Sequence, residues 1–264
     1  MKNILIFSLV AVLFSCKSDK SKLEQKRTDS PLAETAVKIT YPKDVLKVFD
    51  AHGGLDSWKT FKTLSYVIPK TDAQERHTIA LHSRKDIISM PQFSMGFDGS
   101  QVWLLDEDES YKGDAIFYHN LMFYFFAMPF VLADEGIVYA ETEPLVFEGK
   151  SYPGISISYN SGIGTSPKDE YFLHYDPETF QMQWLGYTVT YRSGAVSENV
   201  KWIRYNDWAN VEGIQLPRSI TWYSYEGKDI GVPKSTVVFE NISLSSAMKL
   251  SDFYKKPEKA KFVN

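Results

Sequence analysis

Gln181-Met182-Gln183-Trp184-Leu185-Gly186-Tyr187-Thr188-Val189-Thr190-Tyr191 is the stretch on which the fold turns. In an extended strand successive side chains point to opposite sides, so Leu185, Tyr187, Val189 and Tyr191 share one face and Trp184, Gly186, Thr188 and Thr190 the other. Both faces carry aromatic bulk. Residues 215–225 repeat the theme, with Ile220 and Trp222 opposed to Tyr223 and Tyr225. A sheet with one wet face needs less apolar surface, so one face covers a core while the other is shielded or lines a cavity.

Working outward, short segments rich in aromatic and β-branched residues fill both halves: 64–68, 78–83, 86–90, 93–97 and 101–105, then 154–159, 170–175, 199–208 and 236–244. Turn residues separate them, among them Asp98-Gly99, Asp176-Pro177-Glu178, Ser193-Gly194, Glu212-Gly213 and Glu226-Gly227. Strands joined by tight turns make an antiparallel meander, because parallel neighbours need long crossovers. Two helices precede them. Residues 44–49 have apolar positions three and four apart and stop at Gly53-Gly54; a second short helix has Asp56 as its expected N-cap and Trp58 and Phe61 on its apolar side.

Between the halves, residues 114–134 are apolar nearly all round, and such a helix belongs inside something. Asp114 is a suitable N-cap, Gly136 a suitable stop, and Pro129 kinks or ends the helix early. The expected fold class is therefore α+β: a mainly antiparallel, strongly curved sheet forming an open half-barrel, with short N-terminal helices and a central apolar plug helix. A helix packed on an ordinary sheet with no cavity is the competing arrangement.

The first residues carry the three zones of an export signal: Lys2, an apolar run from Ile4 to Phe14 and small Ser15. That run is too short to span a bilayer. Leu13-Phe14-Ser15-Cys16 resembles the bacterial lipobox, in which the cysteine receives diacylglycerol and becomes the mature amino terminus. The expected organisation is a signal peptide over 1–15, a lipidated flexible tether over 16–42 and a single β-rich domain over 43–264. The tether reading follows from a polar stretch with almost no aromatic residue. Cys16 is the only cysteine, so the domain has no internal disulfide. The charges are interspersed, with a formal net of −4, and form no basic stripe of the kind nucleic acid requires.

Two stretches carry a further resemblance. Gly96-Phe97-Asp98-Gly99-Ser100-Gln101-Val102-Trp103-Leu104-Leu105-Asp106 is similar to a hairpin of the LolA/LolB-type lipoprotein-carrier fold, and His52-Gly53-Gly54-Leu55-Asp56-Ser57-Trp58 resembles the opening of envelope lipoproteins placed in that group. The resemblance spans residues 43–254. It implies an apolar cavity for acyl chains, with Phe123, Phe126, Trp184, Trp202 and Trp222 as candidate lining, and an outer-membrane lipoprotein held by lipid on Cys16. The charged start Lys17-Ser18-Asp19-Lys20 loosely resembles the surface-export signals of Bacteroidota-type lipoproteins. The family's functional arginine has no matching residue here.

Catalytic chemistry finds little support. His77 and His82 are five apart in strand-like sequence and should face opposite sides; His174 and Asp176 share a side by parity, but Pro177 puts Asp176 at a turn, so the pair reads as a solvated strand end. His52 reads as a histidine favoured by a helix C-terminus. Residues 106–109 are acidic but lack the spaced ligands and glycine of a calcium loop, and Gly162-Ile163-Gly164 is followed by no lysine-serine pair. No cofactor, metal site or catalytic residue is expected. The leading reading is a binding module for a lipid or other apolar ligand. Its alternatives are an envelope protein meeting a protein or glycan partner through exposed aromatics and, last, a hydrolase using His52, Asp56 or the acidic residues.

Overall fold

Helix α1 (Lys43–Ala51) turns Val45, Val48 and Phe49 inward and ends where Gly53 and Gly54 take φ of 103° and 88°, which a side chain would resist. This is a computed structural model, describing residues 40–160, 169–189 and 199–263. The signal segment, Cys16 and the tether up to residue 39 lie outside the described residues, as do Gly162-Ile163-Gly164, Ser193-Gly194, Thr190 and Tyr191. Gly53 is also pressed against the turn at Gly213, whose carbonyl a Cβ on Gly53 would meet at 2.3 Å. Helix α2 (Leu55–Thr60) buries Trp58; Gly54, not Asp56, occupies its N-cap, and Asp56 lies in the first turn.

Strands β1 (Thr63–Pro69), β2 (Gln74–Ala80), β3 (Asp86–Ser89), β4 (Ser94–Phe97) and β5 (Val102–Leu105) form a hairpin meander. After the plug come β6 (Ile137–Phe147), β7 (Lys150–Tyr159), β8 (Tyr171–Tyr175), β9 (Met182–Tyr187), β10 (Lys201–Val211), β11 (Ile214–Glu226), β12 (Asp229–Val238), β13 (Glu240–Ser245) and β14 (Lys261–Phe262). All pairings are antiparallel, in two seven-stranded sheets ordered β13-β1-β2-β3-β4-β5-β14 and β12-β11-β10-β9-β8-β7-β6. The fold is the expected α+β class, open and mainly antiparallel.

Residues 236–244, read as one strand, serve two sheets. Val238 still pairs with Ser219 of β11, while Glu240 pairs with Val67 of β1. Between them Phe239 turns inward against Tyr66 and Phe126, with ring centroids 5.5 and 4.7 Å away, and donates its N–H to the Arg218 carbonyl at 2.8 Å. One run of chain thereby joins the sheets into a single curved wall. Strand β6 was absent from the sequence reading; it contains Pro144, tolerated because β6 is an edge strand whose pairing is irregular between Thr142 and Leu145.

The plug is three pieces and not one helix. Asp114 caps α3 (Ala115–Tyr118), its carboxylate accepting from Phe117 N at 3.1 Å; α4 (Leu121–Phe126) and a 3-10 turn, Phe130–Ala133, follow. Pro129 lacks the N–H that a continuing helix needs, so the chain turns there. Residues 125–133 are all buried, which meets the expectation that this stretch lies inside. From β13 the chain crosses the far face of the first sheet to reach β14 at the other edge, and Trp103 donates Nε1 to the Tyr254 carbonyl at 3.2 Å on the way.

Candidate functional site

A cleft of about 570 Å³ opens where α2, the turn between β2 and β3, and the end of the plug converge. Leu55, Trp58, Leu81, Phe130 and Ala133 give it an apolar lining. Trp58 stacks on Phe130 with centroids 4.7 Å apart and planes 8° from parallel. Polar groups surround this surface: Lys59 from α2, His82 and Arg84 from the turn, and Asp134 and Glu135 from the chain after the plug.

Local chemistry fixes these groups. Arg84 has φ of 58°, a conformation that costs a non-glycine residue, and donates its N–H to the Ala80 carbonyl at 2.8 Å. Its guanidinium reaches Asp134 at 2.5 Å and lies over the Phe123 ring, 4.9 Å from the centroid. The pair latches the β2–β3 turn to the plug. Burial pushes the Asp134 carboxyl above its ordinary range, against the pull of Arg84. His82 donates Nε2–H to the Lys59 carbonyl at 3.0 Å, which leaves Nδ1 to accept from the Lys62 ammonium at 3.4 Å.

Behind the cleft the plug is packed tightly. Phe125 meets Tyr187 and Trp222 at 5.2 and 5.5 Å, Trp222 donates Nε1–H to the Tyr187 hydroxyl at 3.0 Å, and the Tyr205 hydroxyl donates to the Phe125 carbonyl at 2.8 Å. Two spaces beside the plug hold about 10 and about 20 Å³. Each suits at most one water and no acyl chain.

The family of unknown function DUF6503 matches residues 92–237, more than half of the 264-residue chain. The chain belongs to the DUF6503 family. No curated protein matches it by sequence. Among solved structures, a LolA superfamily protein from Nitrosomonas europaea is similar at 9% identity, over 83% of this chain and 99% of that one, with a TM-score of 0.51. A DUF1329 family protein from Desulfovibrio piger is similar at 10% identity, over 81% and 98%, with a TM-score of 0.48. At such identity the first likeness concerns the fold, and on the fold it agrees with the resemblance read from the hairpin at Asp98-Gly99.

The five aromatics chosen as lining are not brought together in this DUF6503 chain. Phe123, Phe126 and Trp222 lie on the plug side, but Phe126 fills the core between Tyr66 and Phe239, and none of the three lines the cleft. Trp184 and Trp202 face the other way. Leu185 and Ile203, one residue on, take the inward positions, and the two tryptophans join Tyr152 and Val200 in a second cluster on the outer face. Phe147, near the tip of the β6–β7 hairpin, folds over that cluster, 4.7 Å from Trp184 and 5.8 Å from Tyr223. Arg204 covers Trp184 from another side, 4.7 Å from the ring. The cleft residues escaped the reading because they come from three distant segments, none unusual alone; Trp58 was noted only as the apolar side of a helix.

Each histidine of the DUF6503 chain is held by neighbouring groups. His77 and His82 face apart as expected, His77 buried and His82 exposed. His77 bonds Glu75 at 2.8 Å and Tyr66 at 3.2 Å, and Glu75 also accepts from Tyr118 at 2.7 Å. His174 is buried and not the solvated strand end expected, with Nδ1 at 3.2 Å from the Tyr152 carbonyl; its supposed partner Asp176 pairs instead with Lys150 at 2.6 Å. Burial drives His52 down to about 4, so it is neutral at physiological pH and a helix dipole gives no reason for its place. Its reason is docking: the Val48 carbonyl accepts from Nδ1 at 2.7 Å, and the His52 carbonyl accepts from Gln215 at 2.9 Å. The acidic stretch closes on itself, Asp106 accepting from the backbone of Ser110 and Tyr111. Among the described residues no three histidines, acids or cysteines gather as a metal site, and no helix is long and apolar enough to cross a membrane.

Proposed function

We propose that this DUF6503 protein is a cell-envelope lipoprotein, anchored to the outer membrane by lipid on Cys16, that binds a lipid or another apolar ligand and catalyses no reaction. The observation that carries this reading is the cleft. It is the right size for part of an acyl chain, one wall is apolar with a stacked Trp58–Phe130 pair, and it opens at the end of the plug. The likeness to a LolA superfamily protein supports the reading at the level of fold. The site differs from the one the sequence suggested, lying at the plug's end and not along its length.

The alternative, a partner-binding role through exposed aromatics, would rest on Tyr225, Phe253 and Phe262 and not on Trp184 and Trp202, which are 0% and 4% exposed. The test is direct. The protein is extracted with organic solvent and the extract read by mass spectrometry, and the emptied protein is titrated with the neutral dye N-phenyl-1-naphthylamine. Bound lipid in the extract and enhanced dye emission are expected, the latter weakened several-fold by Leu55→Glu in the apolar wall. An empty extract with no dye binding sinks the reading.

A further inference from the structure

We propose that the ligand of the cleft is an amphiphile with an anionic head, a carboxylate or a phosphate ester, and that Lys59 and Lys62 receive that head. The inference rests on the apolar-ligand reading and adds the chemistry of the polar end. The charges around the cleft are sorted. On the wall formed by α2 and the β2–β3 turn stand Lys59 and, at the rim beyond His82, Lys62; among the described residues neither has a carboxylate partner. On the opposite wall Asp134 is already engaged by Arg84 at 2.5 Å, which leaves Glu135 as the exposed acid there.

His82 sets the geometry. Its Nε2–H is held by the Lys59 carbonyl at 3.0 Å, so its Nδ1 lone pair faces the Lys62 ammonium at 3.4 Å and holds that cation at the rim. That hydrogen bond orients the ammonium without a carboxylate to cancel its charge. Two lysines next to an indole and a phenyl ring form one polar and one apolar subsite, the pattern an amphiphile matches from head to tail. Trp58, Leu81 and Phe130 would take the tail.

The experiment uses the full chain carrying Cys16→Ser, so that no anchor lipid competes for the cleft. The dye-loaded protein is titrated with dodecanoate, dodecyl phosphate, dodecanol and dodecylammonium, which share one tail. The two anions should displace the dye at concentrations roughly tenfold lower than dodecanol, about what one charge-assisted contact gives. In Lys59→Gln/Lys62→Gln that preference should vanish, the anions displacing the dye no better than dodecanol does. The better of the two anions then identifies the source of the head, a fatty acid or a phospholipid. Dodecanol matching the anions, dodecylammonium binding most tightly, or an anion preference that survives the double substitution would each overturn the inference and leave the apolar-ligand reading standing. No displacement by any of the four would remove both.

Discussion

The enclosed histidines of the two sheets are treated in opposite ways. On the side of the first sheet each faces a carboxylate: His77 of β2 meets Glu75 at 2.8 Å, and His119 of the plug meets Asp86 of β3 at 2.7 Å. On the side of the second sheet, His52 and His174 bond main-chain carbonyls and press against tryptophans, Trp208 at 4.6 Å and Trp202 at 5.7 Å. Burial pushes both of the latter down to about 4. The plug is held with the same contrast between its two sides. Toward the first sheet it is oriented by directed bonds to carboxyl groups, through Tyr118 to Glu75 and His119 to Asp86; toward the second it is held by the fit of rings.

What the two sides share breaks most. Phe126 is fully buried, stacks on Tyr66 at 4.3 Å and meets Phe239 at 4.7 Å, at the seam between the sheets. Phe126→Ala should lower unfolding free energy by about 3–5 kcal/mol in urea titrations, through lost burial and the cavity left behind. A loss under about 1 kcal/mol would mean the plug is not seated on the seam.

The dry side is probed by acid. His52 and His174 each have a folded pKa of about 4, below the ordinary 6.5 of the unfolded chain, so the unfolded state takes up protons first as pH falls. Their contribution is whole above about pH 6.5 and is lost toward pH 4, on the order of 3 kcal/mol for each histidine. His52→Gln should flatten the slope of stability against pH in that window, and an unaltered slope would show that His52 does not titrate on unfolding.

The charged side gives the smallest of these effects. Burial alone would raise the Glu75 carboxyl, but the bonds from His77 and Tyr118, with Lys70 at 3.2 Å, outweigh it and hold the group below its usual value. Glu75→Gln keeps the shape and removes the charge. It should cost about 2 kcal/mol at neutral pH, the worth of hydrogen bonds to an ionised group, and flatten the loss of stability below about pH 4.5, where the unfolded carboxyl takes up its proton first. A change within 0.5 kcal/mol, about that of a neutral surface substitution, would mean that directed bonds matter no more here than elsewhere.

Most strands other than β6, the turns and the antiparallel order were legible because alternation and turn chemistry are local. Four features were not. The switch at Phe239 interrupts no alternation, so 236–244 reads as one strand. Strands β9 and β10 carry large apolar residues on both faces, so parity separates Trp184 from Leu185 without telling which one is inward. Residues 114–134 declare their burial through composition, yet the helix is interrupted at His119-Asn120, where His119 bonds Asp86 of β3, a contact that exists only after folding. The cleft was the least legible, since proximity among Trp58, Arg84 and Phe130 exists only after folding.

The shared run at Phe239 also bears on how the chain is made. β1 to β5 leave the ribosome early and can pair at once, being consecutive hairpins. Their two outer neighbours, β13 and β14, are translated last. Until residue 240 emerges, both edges of the first sheet are open templates for pairing with other chains. A ribosomal pause or a truncation before that point therefore exposes a nearly complete sheet with nothing to close it. A binding factor that covers strand edges would be needed most during that interval.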